Sequence, residues 1–276
     1  MQIDAHQHFW HPGRGDYAWM PKDDPILSRL YAPAELWPQM QAAGVAGTVL
    51  VQAAPTVAET EYMLGIADAT PWVLGVVGWV DFEDQTQAAT LRRLAGHPAF
   101  KGVRPMIQDL ADDAWMHRAD VQWAYGALID NDLTFDALGF PRHLVHFLAL
   151  LKRYPDLRVV VDHCMKPQVR DHPAGFDHWA EGMARIAGDT GAYCKFSAVI
   201  TEARPDWTVD DLRPYADHVL AVFGADRVMW GSDWPVCVLR GEYAEWRAAA
   251  LALTAHLPEA DRAAIFGGTA QQFYRL

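Results

Sequence analysis

The sequence predicts one α/β domain, residues 1–276, folded as a (β/α)₈ (TIM) barrel. Eight short apolar runs, mostly uninterrupted and rich in Val, alternate with helix-like segments; strands buried on both faces read this way. A length of 276 residues suits one such barrel. No G-x-G-x-x-G follows an early run, which removes the usual mark of a doubly wound open sheet.

Taken in order, the strand Gln2–Ala5 precedes the helical segment Pro33–Ala43, and Gly47–Gln52 precedes Glu59–Ala69. Val73–Val80 precedes Gln85–Ala95, and Lys101–Pro105 precedes Asp120–Asn131. Thr134–Leu138 leads to Leu144–Tyr154, and Arg158–His163 to His178–Ala187. Ala192–Ser197 leads to Asp210–Phe223, and the eighth strand, Arg227–Ser232, to Tyr243–His256 and Glu259–Phe266. No repeat, low-complexity tract or Pro/Ser linker divides the chain.

Composition narrows the function classes. Half of the residues (51%) are hydrophobic, enough for a packed core and against disorder. With 23 Lys and Arg against 35 Asp and Glu, the net charge of −12 argues against a nucleic acid or an anionic membrane surface as partner. No run of 18 apolar residues offers a membrane span. The start lacks the basic and apolar regions of a signal peptide, and Cys164, Cys194 and Cys237 form an odd set without CxxC spacing. A reducing cytoplasm is the expected location.

Barrel enzymes place their chemistry at the C-terminal strand ends. There stand His6 and His8, Gln52, Arg104, Asp136, Asp162 and His163, Lys195 and Ser197, then Ser232 and Asp233. Burying such groups uncompensated costs several kcal/mol apiece, so a site or a polar network is needed to hold them. His6 and His8, two apart on a strand, point to one side and suit metal ligation or carbonyl polarisation. Asp233 faces them across the seam between strands one and eight, placed to take a proton from water, or else caps the helix that follows. Arg104 pairs with Asp136 or a glutamate, or meets substrate. Lys166 and Lys195 serve as ion-pair partners or substrate clamps. Trp10, Trp19, Trp207 and Trp234 lie in loops where an indole could stack on a sugar-like ring.

Five segments, Ile3–Trp10, Lys101–Arg104, Asp162-His163 with Lys166-Pro167, Lys195–Ser197 and Gly231–Pro235, resemble the amidohydrolase superfamily. Within it they are similar to the branch of sugar lactonases and pyrone dicarboxylate lactonase. The resemblance implies a hydrolytic barrel in which His6 and His8 are the first-strand pair, His163 the sixth-strand histidine and Asp233 the water-activating aspartate. No lysine ends the fourth or fifth strand, and Asp136 stands where metal-dependent decarboxylase relatives carry His. A binuclear centre is therefore not expected. No cofactor is required, and a single Zn-like ion, if bound, would take His6, His8 and Asp233.

The expected reaction is opening of a sugar lactone by Asp233-activated water, with His6, His8, His163 and Arg104 at the carbonyl oxygen. Trp10, Trp234, Gln52, Lys195 and Lys166 would bind the hydroxyl-rich ring. A dicarboxylate would want two bidentate arginines, and only Arg104 ends a strand. The rivals are a metal-dependent decarboxylase or hydratase on the same barrel and an inactive barrel that binds a sugar acid. A homo-oligomer is compatible with the sequence.

Overall fold

The computed structural model describes residues 1–276. Eight parallel strands follow one another around a sheet in chain order: β1 Ile3–Gln7, β2 Gly47–Val51, β3 Val73–Gly78, β4 Phe100–Val103, β5 Thr134–Ala137, β6 Arg158–Val161, β7 Tyr193–Phe196 and β8 Val228–Trp230. All eight expected strands are present, with ends displaced by a few residues. β1 runs further than expected and carries His6 into the sheet, whereas β8 is only three residues long.

The seam between β1 and β8 closes through side chains and loop backbone as much as through the ladder. Gln7 bridges Trp234 in parallel, His8 donates its N–H to the Trp234 carbonyl (2.7 Å), and Asp233 donates its N–H to the His6 carbonyl (2.8 Å). Asp4, fully buried, accepts from the amides of His6 (3.1 Å) and Ser232 (2.8 Å) and so holds both edges at once. Gly231 makes the approach possible. A Cβ there would lie 2.7 Å from His6 Cβ and 3.0 Å from the His6 nitrogen.

Helices α1 (Pro33–Ala42), α2 (Val57–Ala69), α3 (Ala88–Ala95), α4 (Gln122–Asp130), α5 (Leu144–Arg153), α6 (Phe176–Asp189), α7 (Val209–Phe223) and α8 (Tyr243–Leu253) form the outer ring. Their buried stripes meet the outward faces of the strands, while Ile3, Ala5, Val49, Val77, Val160 and Met229 pack inside the barrel. None of the helices is long and apolar enough to cross a membrane.

The chain's ending, Phe266–Tyr274, is similar in sequence to the terminal helix of the sugar-lactonase branch, and it is helical here and part of the core. After α9 (Glu259–Ala263), α10 (Thr269–Tyr274) turns in beneath the barrel and buries Ala270, Phe273 and Tyr274 against the interior residues. Plugging the lower end in this way leaves the C-terminal strand ends as the open face.

Gly231→Ala is expected to destabilise the fold by about 1–3 kcal/mol, the usual cost of overpacking a well-filled interior. Urea unfolding followed by circular dichroism measures this; an unchanged midpoint would show that the seam can yield.

Candidate active site

Backbone strain marks the open face. Eight non-glycine residues have left-handed φ, and six of them follow β6, β7 or β8: His163, Cys164, Met165, Lys166, Ala198 and Asp233. Such conformations persist only where surrounding contacts hold them, and they concentrate at functional sites. Here the Trp179 indole N–H holds the Cys164 carbonyl (2.7 Å), the Lys166 amide holds that of His163 (2.7 Å), and Asp233 is tied to His6 across the seam.

Beneath this face runs a column of buried charge. Lys195, wholly buried on β7, places its Nζ 2.5 Å from Asp136 Oδ2, 3.1 Å from Asp162 Oδ1 and 3.1 Å from His6 Nδ1. The Tyr274 hydroxyl, arriving from α10, donates to Asp136 (2.7 Å). Arg104 donates to Gln52 Oε1 through Nε (3.0 Å) and Nη2 (2.8 Å), contacts the Gln52 carbonyl, and reaches Asp162 Oδ2 through Nη1 (3.4 Å). Burial pushes the Asp136 carboxyl up to about 6 despite Lys195. Burial acts on Asp162 in the same direction, but Lys195, His163 and Arg104 together hold it below the ordinary carboxylate value.

These contacts revise three expectations. Arg104 pairs with Asp162, because Asp136 is already bound to Lys195. Lys195 is an enclosed ion-pair partner and does not face a ligand. Gln52, also enclosed, spends its side chain on orienting Arg104.

Above the column three imidazoles meet one carboxylate. His8 Nε2 lies 3.3 Å from His6 Nε2 and 3.2 Å from Asp233 Oδ1; His6 Nε2 and His163 Nε2 lie 3.7 and 3.9 Å from the same oxygen. Burial first, and Lys195 second, hold His6 well below the usual imidazole value; burial and His6 do the same to His163, and burial lowers His8. The rings are accordingly neutral at pH 7.

The contact of His8 Nδ1 with the Val51 carbonyl (2.8 Å) assigns the ring proton to Nδ1. Its Nε2 then turns a lone pair toward Asp233, so two acceptors face each other across 3.2 Å. A proton or a cation between them relieves this. Ligand atoms ~2.1 Å from a tetrahedral ion stand ~3.4 Å apart, and His6, His8 and Asp233 match that spacing. His6, Asp162 and His163 form a second candidate group. There the oxygens of Asp162 are already met by the Lys195 ammonium and the Arg104 guanidinium, which leaves little need for a second ion.

His8, His163, Arg104, Lys166 and Asp233 open onto a cavity of about 310 Å³, with His6 directly below them. Trp10, Leu138, Val236 and Leu239 supply apolar wall, and Gln108 accepts from Lys166 Nζ (2.6 Å). The Trp10 indole N–H is spent on the carbonyls of Leu27 (3.1 Å) and Arg29 (3.0 Å), and its ring is fully buried, so it backs the wall and offers no stacking face. Trp234 is not part of the wall: it is buried edge-on against Phe9 and Tyr31, so it offers no stacking face. Gln108, Leu138 and Leu239 were not foreseen. Leu138 alone carried a signal, since it ends the fifth apolar run.

The profile of the amidohydrolase family matches residues 3–276. The chain belongs to that family. Two relatives named L-fucono-1,5-lactonase align with all of this amidohydrolase and with 96% of their own lengths: one from Burkholderia ambifaria (41% identical) and one from Burkholderia multivorans (34% identical). A crystal structure of an amidohydrolase from Burkholderia multivorans with bound zinc superposes with a TM-score of 0.93 at 33% identity, covering 100% of this chain and 99% of that one.

One more group in this amidohydrolase supports the site from behind. Thr56 caps α2 by accepting from the Glu59 amide (3.0 Å), and the buried Glu59 carboxylate accepts from the amides of Ala53 (3.1 Å) and Ala54 (2.7 Å). This fixes the turn that presents Gln52 to Arg104. Burial raises the Glu59 pKa to about 7, against an ordinary 4.5. The folded protein therefore holds this proton more tightly than the unfolded chain, and the group's contribution to stability falls as pH rises from about 4.5 to about 7. Glu59→Gln is expected to gain stability relative to wild type over that window, by up to about 3 kcal/mol. Parallel urea titrations at pH 5 and pH 8 test this; an equal difference at both would exclude the shift.

Proposed function

We propose that this amidohydrolase opens a sugar lactone, of the L-fucono-1,5-lactone type, to its sugar acid. The observation that carries the reading is a carboxylate, Asp233, grouped with three neutral imidazoles at the floor of a cavity that a small ring can enter. The full-length likeness to two relatives named L-fucono-1,5-lactonase supports the choice of substrate.

Asp233 takes a proton from water while the lone pair on His8 Nε2 accepts the water's other hydrogen and aims its oxygen at the lactone carbonyl. The charge that develops on the carbonyl oxygen is met by His163 and the Arg104 guanidinium. Ser197 Oγ, 2.9 Å from His163 Nδ1, fixes that ring so that Nε2 can donate into the cavity. As the tetrahedral adduct collapses, the bond from the carbonyl carbon to the ring oxygen breaks, and Asp233 returns its proton to the departing alkoxide. Lys166 and Gln108 bind ring hydroxyls at the rim, and Leu138 and Leu239 offer apolar wall.

A divalent ion held by His6, His8 and Asp233 would, when bound, polarise the carbonyl and make a coordinated water more acidic. Turnover does not depend on it in this proposal, because His163 and Arg104 already answer the charge of an activated cyclic ester. The decarboxylase reading is less well supported, since Asp136 is engaged with Lys195 and Tyr274.

Asp233→Asn is expected to lower kcat on L-fucono-1,5-lactone at least 10³-fold with the fold intact, because an amide cannot take the proton; activity within tenfold of wild type would exclude Asp233 as the base. Turnover is expected to survive exhaustive chelation. Loss of activity restored by Zn²⁺ would instead make the ion essential.

A further inference from the structure

A second cavity, of about 280 Å³, opens beside the catalytic one and shares Trp19, Met106 and Asp109 with it as a common wall. It is built mainly by the segments that follow β3 and β4, with Ala18 and Trp19 from the segment after β1 and Pro55 from the one after β2. Trp19, Trp79 and Trp115, with Phe82 and Leu110, are among its lining residues.

The rings are held by their edges. The Trp19 indole donates to the Ala53 carbonyl (2.6 Å) and the Trp115 indole to Glu83 Oε1 (2.8 Å), while Phe82 stacks on Trp115 with ring centroids 5.9 Å apart. Pinned edges leave rigid apolar faces, which contact a ligand without losing much side-chain freedom. The lining holds Asp81, Glu83 and Asp109 but no Lys, Arg or His, so an anionic group is excluded. Glu83 is partly neutralised from outside by Arg118 (3.1 Å). A cavity roughly half this size is enough to bind benzene.

We propose that this cavity receives an uncharged apolar substituent, alkyl or aryl, carried on the ring of a lactone seated at Asp233. The inference rests on the lactonase reading and extends the substrate class to apolar-substituted lactones. Trp19, exposed to 37%, lines both spaces, and the substituent would cross over its exposed edge.

The test compares δ-valerolactone with its derivative bearing a phenyl group on the carbon next to the ring oxygen. Wild-type kcat/KM is expected to be at least tenfold higher for the phenyl derivative. Trp79→Ala, which removes a face, and Ala18→Trp, which fills the cavity from its exposed rim, should each bring that ratio close to one. Binding is read separately by tryptophan fluorescence with the matching phenyl lactam, which is not hydrolysed: saturable quenching in wild type, at least tenfold weaker in both variants. A wild-type ratio near one with no saturable lactam binding overturns the proposal and leaves the lactonase reading standing if L-fucono-1,5-lactone is turned over. If no lactone is turned over, the lactonase reading fails, and with it the proposed substrate class. Quenching by tetraethylammonium in place of the lactam would make this an organic-cation site and overturn the proposal as well.

Discussion

A single ammonium group, that of Lys195, sits on the axis of the barrel with no access to water. An unpaired charge there would cost several kcal/mol, and much of the interior is arranged to prevent it. Asp136 and Asp162 share the charge from β5 and from the end of β6, and His6 Nδ1 takes a third direction. Each partner is then committed elsewhere: Asp162 to Arg104, Arg104 to Gln52, and Asp136 to Tyr274. The stability of the barrel and the electrostatics of the site are in this sense one problem. Burial holds the three imidazoles neutral, and the cations that balance the buried carboxylates reinforce it, Lys195 at His6 and Arg104 at all three rings.

The closing seam performs the complementary task. Strands β1 and β8 meet with little ladder between them, and the contact is made instead by Asp4, Gly231 and the strained turn at Asp233. Because Asp233 is hydrogen-bonded through its own backbone to His6, the act of closing the barrel sets the distance between the Asp233 carboxylate and the imidazole pair. A residue held at left-handed φ by the closure has few ways to drift. This gives a short strand and an irregular turn a positional accuracy that loops seldom reach alone.

Much of this was legible from sequence. Apolar runs located every strand, because a strand buried on both faces has no other way to be written. The position of a polar residue near the end of such a run is equally readable, and His8, Arg104, His163, Lys166 and Asp233 do line one cavity, with His6 beside them. Partnership was not readable. Whether Arg104 meets Asp136 or Asp162 depends on shear around the barrel, which no single run records. Gln52 and Lys195 look like cavity residues from their strand-end positions, yet both lie a layer below, and depth along the axis is invisible to spacing. Trp234 illustrates a third limit: an aromatic in a strand-end loop beside Asp233 reads as a stacking face, while the turn swings it into Phe9 and Tyr31. Glu59 gave no signal, since a glutamate in the first turn of a helix is ordinary until its carboxylate is seen folded back onto the preceding loop.

The placement of Tyr274 bears on what keeps the charge column dry. Its hydroxyl, carried in by α10, completes the set of donors around Asp136. With α10 undocked the lower mouth of the barrel would be open, water would reach the base of the column, and Lys195 and its carboxylates would be solvated. Every residue of the open face would still be present, without the dry foundation beneath it.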